Sequence, residues 1–408
     1  MDGPTAAATA VDIGLEHLDD TVGEVRNPYP EFERLRRESP VVRQGSVGDN
    51  APPMFVVYRH ADVTKVLRDG ATFSSSLIGE GMAEVWGRKI IVGMDAPEHH
   101  RHRALVSSAF RQSTLARWKE SLVRRIVDDL IDTFIDRGTA ELTSQYTFSF
   151  PAKVIAGVLG LPEADYVQFQ HWAIGIMSLT RDWNRAVQCA QELRDYLSHI
   201  VEQRRVDPRD DLVTDLVTVE LDGERLDDEE IYSFLRMLLP AGIETTYRSS
   251  GNLLYLLLTH PDQLGAVRAD RTLIPQAIEE ALRYEPPVLA TWRVTTTDTS
   301  IAEVDVPAGS VVMSMLGSAN RDPDVYDHPE EFDIFRDPKQ HVSFGTGPHL
   351  CLGMHLARLE TAIAVEALLD RLPDVRLDQD EAQRVDAHIH GDLMFRSPNH
   401  LPVVWDPP

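Results

Sequence analysis

The stretch His341-Val-Ser-Phe-Gly-Thr-Gly-Pro-His-Leu-Cys-Leu-Gly353 decides how this chain is read. It holds Cys351, one of only two cysteines, and runs straight into Met354–Leu372, with apolar residues at Leu356, Leu359, Ile363, Val365, Leu368 and Leu369. That recurrence predicts a helix, so Cys351 falls where a loop becomes a helix. Unpaired amide donors and the positive end of the helix dipole both favour a thiolate there. Gly345, Gly347 and Gly353 let the backbone pass close to something flat and bulky. His349, two residues before the sulfur, is a candidate donor to an anionic group. A lone cysteine is more often an inert, buried small side chain. The fixed spacing of Phe344, Gly345, Gly347, His349, Cys351 and Gly353 weighs against that reading.

Further out, Leu226–Asp228 carries an N-terminal signal and a long helix is predicted from about Glu229 to Thr259. Its centre reads Leu239-Pro-Ala-Gly-Ile-Glu-Thr-Thr246. Pro240 removes an internal hydrogen bond and Gly242 weakens the helix further. A helix loosened in mid-span suits a ligand approaching its backbone. Ala241 and Gly242 share a face with Thr245, leaving space bordered by a hydroxyl. A helical Thr most often just bonds back to an upstream carbonyl. In Met94-Asp-Ala-Pro-Glu-His-His-Arg-His-Arg103, Pro97 suits a first helical turn, and His99 and Arg103 share one face. A solvated helix face has the same composition. Glu280-Ala-Leu-Arg283 is an i,i+3 pair, common and weak at a surface.

Taken together these segments resemble the cytochrome P-450 family of haem-thiolate monooxygenases, over nearly the whole chain. Phe-Gly-x-Gly-x-His-x-Cys-x-Gly matches the family's haem-binding loop at every defining position. The resemblance implies a mainly α fold with small β-sheets, a triangular prism-like helical domain beside a smaller β-rich region. It implies haem b, with Cys351 as axial iron ligand, because thiolate electron density promotes O–O cleavage. Amides after the cysteine would tune the sulfur, and Phe344 would pack beside it. His99, Arg103, Arg293 and His349 would meet the propionates, Arg binding a carboxylate with two donors. Ala-Gly-x-Glu-Thr-Thr resembles the oxygen-activation motif, which gives Thr245 and Glu244 the delivery of protons. Peroxide-using relatives often lack this acid–alcohol pair. Glu280 and Arg283 resemble the structural Glu-x-x-Arg pair. The family's Pro-x-Arg-Phe partner is missing from Pro329-Glu-Glu-Phe332, leaving Arg336 as the candidate third member.

Composition bounds the rest. A net charge of −25 over 408 residues argues against nucleic acid and anionic membranes as partners. Cys189 and Cys351 offer no disulfide framework, which fits a reducing cytoplasm. Met1–Gly14 has no signal-peptide character, and no run of eighteen apolar residues occurs. Residues 1–25 read as a flexible tail and 26–408 as one domain. Strands are expected at Val41-Val42, Met54–Tyr58, Val288–Val294, Ile301–Val306 and Ser310–Met315, with Gly391–Trp405 as a hairpin. Phe73–Val92 reads as a long irregular loop, and Tyr166–Leu179 and Asn184–Arg204 as helices.

The expected function is hydroxylation or epoxidation of an apolar small molecule with O2. No break suggests a fused reductase, so electrons would come from a separate ferredoxin and ferredoxin reductase. Arg111, Arg117 and Lys119 offer a local basic patch for an acidic donor. A monomer is expected. Candidate pocket residues are Ile78, Met82, Trp86, Phe169, Met177, Met237, Leu289, Trp292 and Met394; for the aromatics, ordinary core packing is an equal reading. The competing functions are a non-catalytic haem-based ligand- or gas-binding protein and a haem-free helical carrier. The acid–alcohol pair argues against the former, since binding alone needs no proton relay.

Overall fold

The computed structural model describes residues 25–44, 52–391 and 394–406. About 58% of it is helical, with small sheets, the cytochrome P-450 fold expected from sequence. Most of the proposed tail, residues 1–24, lies outside the described residues. The Val25 amide donates to the Gly391 carbonyl at 2.9 Å.

The axis of the molecule is the helix Asp228–Thr259. Asp227 caps it, accepting from the Glu230 amide while the Glu230 carboxylate accepts from the Asp227 amide. Such a box is worth about 1 kcal/mol, and Asp228, Glu229 and Glu230 complement the dipole of the first turn. The helix continues through Pro240. It is hydrophobic on most sides because other helices surround it. Ser149–Val158, Tyr166–Met177 and Trp183–Val206 pack on one side, and Ile274–Tyr284 and Met354–Arg371 on the other. In mid-span Ala241, Gly242, Thr245 and Ser249 escape full burial. Ala241, Thr245 and Ser249 are four apart, so one stripe of the helix faces an internal opening.

The strands are β1 (Val41–Gln44), β2 (Met54–Val57), β3 (Phe73–Ser74), β4 (Thr139–Glu141), β5 (Ala290–Thr295) and β6 (Thr299–Ile301). They continue as β7 (Val304–Val306), β8 (Val311–Met315), β9 (Arg376–Leu377), β10 (Ile389–Gly391), β11 (Arg396–Pro398) and β12 (Pro402–Val404). The largest sheet has the order β1-β2-β8-β5-β3 and is antiparallel except for the β2–β8 pair. Three expectations are corrected. Ile301–Val306 is a hairpin of β6 and β7, turning at Ala302 and Glu303, both with positive φ. The C-terminal hairpin pairs β10 with β11 only; β12 joins β4 and β9 in a separate sheet. Phe73–Val92 is not irregular, since Ser76–Gly81 and Ala83–Trp86 are short helices.

Candidate functional site

Between the central helix and the thiol loop lies a cavity of about 380 Å³. Cys351 and Phe344 line one wall and Ala241, Gly242 and Thr245 the opposite one. The loop is held to the neighbouring helix His60–Arg68 through Gly347 (φ +75°), where a Cβ would come within 2.6 Å of the Leu67 carbonyl oxygen. The Cys351 amide donates to the Phe344 carbonyl at 2.9 Å, closing the turn that presents the sulfur. Burial pushes the thiol pKa up, against the pull of the Gly353 and Met354 amides and the Arg103 and Arg358 guanidiniums. The loop and helix donors do favour ionisation, as expected, but burial outweighs them for the thiol by itself, and a cation held at the sulfur would add to their pull.

Four basic side chains line the cavity rim: His99, Arg103, Arg293 and His349. Arg293 is buried on β5, and its pKa falls to about 10 because burial disfavours its charge. Arg103 donates to the Leu350 carbonyl at 2.6 Å. Among the described residues neither arginine has an acidic side chain as an ion-pair partner. His99 Nε2 is buried without a hydrogen-bond partner among the described residues. His349 Nε2 lies 3.1 Å from Ser75 Oγ. A buried guanidinium such as that of Arg293 and an orphaned imidazole nitrogen are costly unless an anion completes them.

On the opposite wall Thr245 Oγ1 donates back to the Ala241 carbonyl at 2.7 Å, the local bond anticipated for a helical Thr. Its oxygen still borders the cavity and remains able to accept. Gly242 serves packing as well as space, for a Cβ there would approach Ile155 Cδ1 to 2.7 Å. Glu244 is absent from the cavity lining; it is buried and accepts from Arg248 Nη2 at 3.2 Å.

Glu280 and Arg283 form a buried bidentate pair at 2.7 and 2.8 Å. Arg336 Nε reaches Glu280 Oε1 at 3.3 Å, the third partner inferred from sequence. Arg283 also donates to the Asn320, Pro329 and Glu331 carbonyls, tying the helix Ile274–Tyr284 to the segment before the thiol loop.

Of the candidate pocket residues, Ile78 and Met237 line the cavity. The other seven lie outside its lining. Phe169 and Met177 are buried in the main core, Met82 and Trp86 pack against it, and Leu289 fills the space over Gly317 in a satellite cluster that Met394 joins. Trp292 is displaced by strand parity: Thr291 and Arg293 line the cavity, and adjacent strand residues face opposite sides. Thr291, Phe110 and Phe234 are wall residues missed from sequence; the alternation about Arg293 was the signal for the first. Glu360 was missed too. It lines the cavity from the helix Met354–Arg371, buried, with Oε2 lacking a partner among the described residues. Its place four residues after Leu356 put it on the buried stripe. Arg117 and Lys119, expected in a basic patch, are neutralised locally by Asp210 and Asp215 and by Glu120.

A buried cysteine sulfur, two arginines without acidic partners among the described residues, two imidazoles beside them and apolar side chains between fit a flat iron complex bearing two carboxylates. Gly353 adds to the fit, since a Cβ there would meet nothing within 4 Å. The fold and the site thus define a haem-thiolate protein, with Cys351 suited to hold the iron and His99, Arg103, Arg293 and His349 the propionates. The cytochrome P-450 family model matches residues 164–399. The chain is 36% identical to the cytochrome P-450 monooxygenase PikC of Streptomyces venezuelae, covering 99% of this chain and 96% of the relative. Identity is 38% to the erythromycin C-12 hydroxylase of Saccharopolyspora erythraea, over 85% of this chain and 88% of that one. The structure of the bacillaene polyketide synthase cytochrome P-450 PksS of Bacillus subtilis superposes with a TM-score of 0.86 at 31% identity, covering 93% and 97%. This chain belongs to the cytochrome P-450 family; it is a monooxygenase with haem b as cofactor. That sets aside the non-catalytic and haem-free readings. Among the described residues no helix is long and apolar enough to cross a membrane.

Proposed function

We propose that this protein hydroxylates or epoxidises an apolar small organic molecule, with electrons from a separate ferredoxin reduced by a ferredoxin reductase. The observation that carries this reading is the placement of Thr245 and Cys351 on the same largely apolar cavity, one from the central helix and one from the thiol loop. When bound, the haem supplies the redox chemistry that divides O2 between product and water. The chain's own residues do the rest. Ile78, Met237, Phe110 and Phe234 exclude water and favour apolar surface over polar. Thr245 Oγ1 accepts a hydrogen bond from the cavity side and so orders a proton donor there, with Glu244, its neighbour in the helix, as the acid that supplies it. Arg68 is exposed and donates to Thr346 of the thiol loop at 3.2 Å, offering a surface cation on that loop to an acidic donor protein. The working unit in this reading is a single cytoplasmic chain acting as one domain.

The test is to screen apolar compounds for the spin-state shift that accompanies cavity occupation. Turnover with ferredoxin, ferredoxin reductase and NADPH follows. The expected outcome is an oxygenated product in the wild type and none in Cys351→Ser, whose reduced carbon monoxide complex also loses its thiolate absorption band. A Cys351→Ser protein with unchanged spectrum and turnover overturns the reading.

A further inference from the structure

Arg248 takes no part in the chemistry assigned above, yet it sits where the central helix meets the C-terminal hairpin. Its Nη2 donates to Glu244 Oε1 at 3.2 Å and its Nη1 to Ser397 Oγ at 3.1 Å. The two side chains of the ion pair are only 7% and 11% exposed, so water screens the attraction little. The guanidinium also lies over the rings of Tyr247 and Phe395, at 4.9 and 5.4 Å from their centroids. Arg248 therefore grips the acid beside Thr245 with one nitrogen and β11 with another.

The hairpin is in turn fastened to the cavity wall. Val288 pairs with Phe395 as a β-bridge, the Leu289 amide donates to the Met394 carbonyl at 2.8 Å, and the Arg396 amide to the Pro287 carbonyl at 3.1 Å. Pro287 and Val288 line the cavity. One turn beyond Arg248, Asn252 Nδ2 donates to the Arg396 carbonyl at 3.2 Å, fixing the same seam. Contacts thus run without a gap from the wall at Val288, through Phe395 and Ser397, to Arg248 and Glu244. Buried hydrogen bonds to a charge weaken steeply with small displacements, so a shift of the hairpin alters the hold on the carboxylate.

We propose that Arg248 is a positioning residue that couples occupation of the cavity at Val288 to how firmly Glu244 is held, and so to its availability to Thr245. This rests on the reading of Glu244 as the supplying acid. A ligand shifts such an equilibrium only by its differential affinity for the two arrangements, which here means contact with the Pro287–Val288 wall.

The test uses the holoenzyme and phenylimidazole as an apolar cavity ligand, read by infrared difference spectroscopy in the carboxylate region. In the wild type the ligand is expected to shift a band that is missing in Glu244→Gln. That shift is lost in Arg248→Gln, and also in Ser397→Ala, which deletes one hydroxyl and no charge and serves if Arg248→Gln does not fold. Absence of a Glu244 band in the wild-type difference spectrum, or the same shift in Ser397→Ala, overturns the coupling. A Glu244→Gln enzyme with unaltered product per O2 consumed instead overturns the acid reading itself, so the two failures are distinguishable.

Discussion

His99 and His349 lie ring to ring, their centroids 4.1 Å apart, although one belongs to the helix Glu98–Ser107 and the other to the thiol loop. Burial lowers the pKa of His99 to about 4, with the Arg103 charge adding to it, and that of His349 to about 3, with Arg293 adding to it. At neutral pH both rings are therefore uncharged, and the positive charge at this rim belongs to Arg103 and Arg293. The imidazoles offer directed N–H donors; the guanidiniums supply the attraction for an anion.

Arg293→Ala and Arg103→Ala should each loosen the haem. A hydrogen bond to a charged group contributes roughly 1.5–3 kcal/mol, which is about a ten- to hundredfold faster loss of haem. The larger effect is expected for Arg293, the more buried of the two. Transfer of haem to excess apomyoglobin measures both rates.

Thr245→Ala removes the hydroxyl that faces the cavity while leaving the helix free to form. General acid–base delivery is worth about a hundredfold or more, so product formation should fall by roughly that factor. NADPH and O2 consumption persist, and the missing oxygen equivalents appear as hydrogen peroxide. Thr245→Ser, which keeps the oxygen, should recover much of the coupling. Product, NADPH and peroxide measured in one reaction decide it.

Glu280 and Arg283 are 5% and 2% exposed, so neither charge tolerates the loss of the other. Removing one partner of such a pair costs about 3–5 kcal/mol, and Arg283→Ala should show this as a loss of folded holoprotein in denaturant titrations. Arg336→Ala should cost less. Its side chain is more exposed and its contact with Glu280 is longer, at 3.3 Å.

The thiol loop and the Ala241–Thr245 stripe were legible in the sequence because each needs particular residue types at particular spacings. A sulfur at a helix start, small residues opposite it and a hydroxyl at the rim leave few substitutes. The cavity walls were not legible. A Phe or Met on an amphipathic helix packs equally well into core or cavity, and Phe169 and Met177 went to the core. On β5 a register of one residue separates Thr291 from Trp292. The β6–β7 turn was invisible because Ala302 and Glu303 take positive φ without a Gly or Asn to announce it. Phe73–Val92 read as a loop, yet its Gly79 serves close approach instead: a Cβ on the facing Gly93 would come within 2.4 Å of Gly79 Cα.

Glu360 yields a prediction of opposite sign to an ordinary ion-paired acid. Burial alone raises its pKa well above the usual carboxylate value, so the folded protein holds a proton there that the unfolded chain releases once the pH passes the normal Glu range. Stability from this group is full below that range and is lost as pH rises toward the folded pKa. Glu360→Gln has nearly the same shape and cannot ionise. The variant should match the wild type in denaturant stability at acid pH and exceed it by a growing margin as the pH is raised above the normal Glu range toward the folded pKa. In the infrared the wild-type holoenzyme should show the C=O stretch of a buried protonated carboxyl, sensitive to D2O and absent from the variant. Parallel stability curves at all pH values would mean that a counter-charge reaches Oε2 and that Glu360 is not held protonated above the normal Glu range.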